Sequence, residues 1–372
     1  MSPTDHTWLS VSNAGEVPSP SLLVFPERIL ANIRRMIAIV GGPERLCPHV
    51  KTHKLPEIVQ LQRALGIDSF KCATIAEAEM LARARAGKVL VAYQMVGPNI
   101  HRLLALTRHF QGTHFSTIVD DLSALAALAH AVHAQESHLE LLVDIDCGMH
   151  RTGIPAGPEA IELFRRIAGT DGLTAGGLHV YDGHIDAGNP EARSSQAQAA
   201  LAPAKKLRES LAVLGHPVPR FVVGGSPTLA IHASDKSVEC SPGTALLWDA
   251  GSAAAYPDLP FVPAAVLLTR VISKPGRDRL CLDLGHKAVA SEMPQPRIDL
   301  PQIPDATFIA HNEEHLVVGS SRAEAFHVGD VLYAIPRHIC PTVALHASVT
   351  VIRDGRASET WKVTARDRKL EF

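Results

Sequence analysis

The chain of 372 residues carries Lys+Arg 36 against Asp+Glu 38, a formal net charge of -2, so it offers neither a basic surface for nucleic acid nor an acidic tail. Hydrophobic residues at 46% and charged residues at 20% suffice for a large core and exclude wholesale disorder, while 5% aromatic residues give little for base stacking. This length accommodates two domains, or one large barrel with a smaller partner.

Residues 21–25 (SLLVF) read as a strand, and Pro26 opens a helix running to Val40, proline being tolerated in a first helical turn. Residues 46–50 (LCPHV) are the next strand, followed by helix 54–65, strand 69–74, helix 75–86, strand 88–93 and helix 98–110. The alternation continues through strand 114–119, helix 121–134, strand 139–146, helix 157–168, strand 177–182, helix 190–214, strand 221–225 and a short strand near 237–241. Repeated βα units with apolar strands require a parallel sheet covered by helices. About eight such units in roughly 220 residues fit an α/β fold of the closed (β/α)8 TIM type. A doubly wound open sheet is the alternative, but no GxGxxG follows the first strand.

From about residue 258 the pattern changes to short β-like runs at 264–272, 279–283, 315–318, 331–335, 345–352 and 360–364, separated by Gly, Pro and Asp turns and with no clear helix. The expected division is a polar, proline-rich segment 1–20 able to join the β domain, a barrel over 21–257, and an appended C-terminal β domain over 258–372. The N-terminal MSPTDHTWLS has no charged region followed by an apolar one, and no apolar run approaches the roughly 20 residues that span a bilayer. Six scattered cysteines without a CxxC pair read as reduced thiols, so a soluble cytoplasmic protein without nucleic-acid or membrane partners is expected.

In a barrel the C-terminal ends of the strands line the active site. Those ends carry PHVKTHK (48–54), KCAT (71–74), Tyr93-Gln94, DIDCGMHRTG (144–153), HVYDGH (179–184), GGSPT (224–228) and SPGT (241–244). Glycine-rich loops with a hydroxyl at a helix start expose backbone N–H groups to a phosphate. A lysine at a strand end, partly desolvated, can lose its proton and form an imine. Together they describe a site for pyridoxal phosphate. Singly, a GGS turn is an ordinary strand terminator and a lone lysine an ordinary surface residue, so the convergence carries the reading. His338-Ile339-Cys340 on an extended segment turns an imidazole and a thiolate to one side, where both can bind one ion, although HxC alone describes two ordinary β-domain residues. Among the 20 histidines, His53 and His184 stand on rim loops as candidate bases, and His49, Tyr181 and Gln94 as lining residues. Asp144 and Asp146 read as supports of the GMHRTG loop rather than as paired acids.

PHVKTHK, CATIAEAE, DIDCGMHRTGI, LHVYDGH, VVGGSPT, ECSPGT and PRHICPTVALH together resemble the D-threonine aldolase/D-serine dehydratase family. These are fold-type III pyridoxal-phosphate enzymes, built like alanine racemase and dependent on a divalent metal. The resemblance runs from about residue 18 to the C-terminus with the motifs in family order, and VTARDRKL (363–370) looks more like the aldolase branch. It implies that Lys51 is the Schiff-base lysine, with Lys54 structural or solvated, and that Arg151 faces the cofactor phenolate, where a fixed cation favours the ionised form. It further implies phosphate binding by Gly224, Gly225 and Ser226 with Gly243 and Thr244, and a metal pair of His338 and Cys340 for zinc, manganese or magnesium. Where alanine racemases set an arginine against the pyridine nitrogen, this chain has Ser241-Pro242-Gly243. The ring nitrogen would then accept from Ser241 or Tyr181 and act as a weaker electron sink, leaving more of the bond breaking to the metal. Asp283-Leu284-Gly285-His286-Lys287 is also family-like. The implied activity is cleavage of a D-3-hydroxyamino acid, D-threonine giving glycine and acetaldehyde, by a homodimer. The alternative is dehydration of D-serine or D-3-hydroxyaspartate to a 2-oxo acid and ammonia. A non-catalytic cofactor carrier lacks a β domain bearing HxC, and a metal-dependent hydrolase without pyridoxal phosphate would be colourless.

Overall fold

A computed structural model describes residues 6–368, so the last residues of VTARDRKL and the first five of the chain lie outside the described residues. Two compact units emerge, one of Met36–Lys51, Pro56–Gly243 and Asp367–Phe372, the other of Met1–Arg35, Thr52–Leu55 and Thr244–Arg366.

The first unit is a parallel barrel. Strands Ser69–Cys72, Lys88–Val91, His114–Val119, Leu139–Asp146, Leu173–Val180, Arg220–Val223 and Glu239–Cys240 pair in that order. Residues 46–49 close the ring, Leu46 bridging in parallel to Cys240 and His49 to Lys71. Three hydrogen bonds make the closure: Cys47 N donates to Cys240 O (2.9 Å), His49 N to Pro242 O (2.8 Å) and Lys71 N to Pro48 O (2.9 Å). The helices between strands begin where the sequence supplies starts. Thr74 and Asp121 cap Ile75–Arg83 and Leu122–Ala134 through Glu77 N and Ala124 N, and Asn189 caps Pro190–Val213 through Ala192 N. Prolines open Pro98–His109, Pro158–Ala168 and Pro190–Val213.

The barrel interior is layered. At the N-terminal ends Arg220 spans the lumen, donating to Glu239 Oε1 (2.9 Å) and reaching Glu140 Oε1 (3.3 Å) and Ser116 Oγ (3.2 Å). Cys47, Leu90, Ile118, Leu142 and Val222 fill the middle with apolar surface. A polar layer follows toward the C-terminal ends, where Lys71, Asp144 and His179 are buried.

The second unit is an antiparallel sheet around the long strand Ala265–Gly276, flanked by Ser21–Val24 and Arg279–Leu282 and also paired with Val331–Pro336. Leu23, Phe25, Val266, Leu268, Tyr333, Ile335 and Ile352 pack with Leu9, Val11 and Val17 of the N-terminal segment into its core. Two expectations are corrected here. Ser21–Val24 is not a barrel strand: it pairs antiparallel with Ala265–Gly276 and parallel with Ser348–Arg353. An apolar strand followed by a helix looks the same whichever sheet receives it, so the local pattern cannot assign the partner. The C-terminal region also contains a helix, Ile339–Leu345, starting inside the HxC motif. The unit that holds the barrel strands runs to Gly243, and the other unit resumes at Thr244.

Candidate active site

Lys51 ends the closing strand in a tight turn, Val50–Thr52, where its backbone N donates to His49 Nδ1 (3.2 Å). Tyr181, just past the Leu173–Val180 strand, gathers cations around its ring: Lys51 Nζ lies 5.7 Å from the centroid, Lys71 Nζ 5.4 Å and Arg151 Cζ 5.2 Å. Of these, Lys71 was not singled out from the sequence, although a lysine between Phe70 and Cys72 in an apolar strand is a visible signal. It is 3% exposed. Its ammonium lies 3.5 Å from His179 Nε2, and His179 Nδ1 is 2.7 Å from Asp144 Oδ1. Burial lowers the Lys71 pKa to about 8, with the Lys51 charge adding to that direction. Burial would raise the Asp144 carboxyl, but its interaction with His179, a hydrogen bond from Thr152 and the nearby Lys71 charge outweigh burial and hold it low.

The GMHRTG loop is held by acids, as its sequence suggests: Asp144 is hydrogen-bonded by the Thr152 side chain, and Asp146 and Asp120 hold the loop backbone. Asp146 Oδ1 accepts from Gly148 N (2.9 Å) and His150 N (3.0 Å), and Asp120 Oδ2 accepts from Gly153 N (2.8 Å). Gly153 has φ +93, and a Cβ there would lie 2.6 Å from Asp146 N, so the turn that presents Arg151 requires glycine. His184 lies against the same loop, its Nε2 3.0 Å from where a Gly148 Cβ would stand. Its Nδ1 is buried with no hydrogen-bond partner among the described residues.

The glycine loops are tied together by Ser226, whose Oγ accepts from Gly243 N at 3.1 Å. Behind them stands a buried set that sequence reading passed over. Asp182 Oδ2 meets His232 Nε2 (2.6 Å), Asp182 Oδ1 accepts from Thr228 Oγ1 (3.1 Å), and Thr228 Oγ1 accepts from Gly225 N (3.3 Å). Gly224 has φ +75, and any Cβ would come within 2.6 Å of His232 Cδ2. Ser241 Oγ is buried and has no partner among the described residues, a donor awaiting an acceptor. Lysine amine, guanidinium, tied glycine loops and an orphaned hydroxyl fit an anionic aromatic aldehyde with a ring nitrogen.

Thr244, His53, His338 and Cys340 belong to the other compact unit. Thr52 and Thr244 bring hydroxyls to 3.2 Å and 3.7 Å of Cys340 Sγ. His338 is extended (φ -140, ψ 97), but Cys340 stands in the first turn of a helix, which corrects the expected extended HxC. Asp249 fixes this turn by accepting from Ile339 N (2.9 Å) and Ser252 N (2.7 Å). His338 Nδ1 pairs with Glu292, a carboxylate that sequence reading missed and that would leave Nε2 to face a metal. A hydrogen bond with Cys340, aided by Glu292 and against burial, raises the His338 pKa to about 9. Imidazole and thiol in mutual contact, with the imidazole oriented by a carboxylate, are a donor set suited to a divalent ion. His53 is fully buried, Nδ1 accepting from Leu55 N (3.1 Å), and burial lowers its pKa to about 3.

Comparison with known proteins gives the family of the chain. The family described as alanine racemase, N-terminal domain, matches residues 25–250, and a serine dehydratase domain family matches residues 264–352. A D-threonine aldolase of Arthrobacter sp is 30% identical over 94% of this chain and 93% of its own length. A D-threo-3-hydroxyaspartate dehydratase of Delftia sp. (strain HT23) is 27% identical over 92% of this chain and 96% of its own. The crystal structure of D-threonine aldolase from Filomicrobium marinum superposes with a TM-score of 0.86 at 26% identity, covering 96% of this chain and 98% of that one. The chain therefore belongs to the D-threonine aldolase/D-serine dehydratase family of lyases with the alanine racemase fold.

Proposed function

We propose that the chain is a pyridoxal-phosphate- and divalent-metal-dependent lyase that splits D-3-hydroxyamino acids between Cα and Cβ, D-threonine giving glycine and acetaldehyde. The observation that carries the cofactor is the barrel cradle: Lys51 and Arg151 around Tyr181, glycine loops tied through Ser226, and the unpartnered Ser241 hydroxyl. When bound, pyridoxal phosphate supplies an electron sink for the bond at Cα, and a divalent ion polarises the β-hydroxyl.

This chain's residues do the rest. Lys51 holds the aldehyde, and Arg151 stabilises negative charge on the phenol oxygen. The loops of Gly224, Gly225 and Ser226 and of Gly243 would border the phosphate, with Gly224 N, Gly225 N and Gly243 N engaged inside the protein on Val180 O, Thr228 Oγ1 and Ser226 Oγ, and Ser241 would donate to the ring nitrogen without charging it. His338 and Cys340 hold the ion, with Glu292 orienting the imidazole. His184 is the better candidate to take the hydroxyl proton. An imidazole whose pKa is near 3, like that of His53, stays neutral but is a poor proton acceptor at neutral pH.

No helix among the described residues is long and apolar enough to cross a membrane; six scattered cysteines without a CxxC pair favour a reducing compartment, the cytoplasm. By analogy of fold the working form is a homodimer.

The deciding experiment is product analysis with D-threonine, pyridoxal phosphate and Mn²⁺, with and without chelator. Glycine plus acetaldehyde, lost on chelation while the yellow colour stays, is the expected result. The second reading, favoured by the Delftia relative, is dehydration, and 2-oxobutanoate plus ammonia would establish it instead. Lys51→Ala should abolish the colour, and a wild type that stays colourless after refilling with cofactor would remove the cofactor assignment altogether.

A further inference from the structure

A cavity of about 420 Å³, the size of a small-molecule site, lies within the unit of the antiparallel sheet and shares no residue with the cradle or the HxC pair. Its walls are rich in rings for a chain with 5% aromatic residues: Trp8, Trp248, Tyr256 and Phe261 all line it, so two of the three tryptophans meet there. Trp248 and Phe261 stand together, their ring centroids 5.2 Å apart and tilted by 51°. Trp248 is 2% exposed and holds its backbone at φ +44, a left-handed conformation that a bulky residue adopts only under constraint. Trp248 N donates to Thr244 O (2.7 Å), and Asp249 caps the helix Ala250–Ala255 through Ser252 N, so the turn is pinned on both sides. The charges on the walls are of one sign. Arg28 and Arg35, about two turns apart on the helix Pro26–Val40, both line the cavity, and no Asp or Glu does. The Arg28 guanidinium is committed, lying 3.8 Å above the Trp8 ring and donating to Pro263 O. Arg35 is half-buried, its Nη1 donates to Asn32 Oδ1 (3.2 Å), and no carboxylate pairs with it among the described residues. His6 Nδ1, on the same walls, is buried without a hydrogen-bond partner among the described residues.

We propose that this cavity is a binding site for a small aryl carboxylate, its ring against Trp248 and Phe261 and its carboxylate on Arg35. Flat apolar faces take the ring, and a guanidinium with donors to spare takes both oxygens of a carboxylate side by side. The His6 nitrogen gives the ligand a further polar contact at the wall. A ligand amine would meet only cations there and lose its hydration with no acid in return, so the site discriminates against aromatic amines. The site stands apart from the proposed reaction and does not depend on it.

Isothermal titration calorimetry of the full chain, loaded with pyridoxal phosphate and Mn²⁺, tests this with three indoles of similar size. Indole-3-acetate carries the carboxylate, indole-3-acetamide is neutral, and gramine carries a tertiary ammonium that cannot form an imine with the cofactor. Indole-3-acetate should bind one per chain, the amide about 10-fold more weakly and gramine more weakly still. Arg35→Gln should weaken indole-3-acetate about 10-fold and leave the amide unchanged. Ala253→Phe, which fills the cavity from its Ala250–Ala255 wall, should abolish binding of both. Melting curves show that each variant is folded, and if the filled variant is not, the half-buried Arg35→Gln decides alone. A wild type that takes up no indole-3-acetate overturns the proposal, as does gramine binding as tightly as the acid. Indole-3-acetate affinity that Arg35→Gln leaves at the wild-type value overturns it too, since the acid then binds elsewhere on the protein.

Discussion

A buried ammonium leaves a signature in stability as well as in chemistry. The Lys71 pKa falls from 10.5 in the unfolded chain to about 8 in the folded one, so below pH 8 folding must carry a charge into a site that disfavours it. Between about pH 8 and pH 10.5 the unfolded chain binds the extra proton and the folded chain does not, so this residue's contribution to stability rises with pH across that window. Lys71→Met should therefore raise the melting temperature of the cofactor-free protein at pH 7, by about 1–3 kcal/mol of stability, and raise it less at pH 10. Differential scanning calorimetry at both pH values checks this, and an equal effect at both would show that packing rather than charge governs the site. At this scale the sequence was informative where a residue stood inside a motif and silent where burial decided its role. Lys51, Arg151 and Ser226 stand in loops whose composition is unusual, and the structure sets Lys51 and Arg151 around one Tyr181 ring. Asp249, Glu292 and Asp182 act through partners far away in the chain, which spacing cannot reveal.

Among the elements, the two glycine loops behave as one because Ser226 accepts from Gly243 N. Ser226→Ala leaves that N–H without its acceptor and lets the loops move separately. Pyridoxal phosphate should bind about 5- to 20-fold more weakly, as measured by absorbance titration, with a smaller change in melting temperature. A variant that lost stability but kept its affinity would assign Ser226 to the scaffold alone. Element identity followed well from local pattern: the helix Pro26–Val40 and the barrel helices lie close to where capping residues and prolines put them. Pairing did not follow, as Ser21–Val24 shows, because four apolar residues satisfy either sheet and only the tertiary partner decides. The HxC motif failed for a related reason. A proline at 341, with Asp249 accepting from Ile339 N, starts a helix just where alternation suggested a strand.

Over the whole molecule, Lys51 belongs to the barrel unit and the HxC pair to the unit of the antiparallel sheet. The barrel joins its ring through residues 46–49, a short strand tied to its neighbours on both sides and leading straight into Lys51. Whatever becomes covalently attached to Lys51 and is also gripped by the loops after Arg220–Val223 and Glu239–Cys240 reaches across that seam from within. Amide hydrogen exchange should register it: the Cys47, His49 and Lys71 amides, which make the closing bonds, should exchange more slowly once pyridoxal phosphate is attached, and more so than amides in the Arg220 layer at the opposite end. The cofactor would thus serve the barrel as a clasp, making the strand that presents the reactive amine also the strand whose opening the loaded protein resists most.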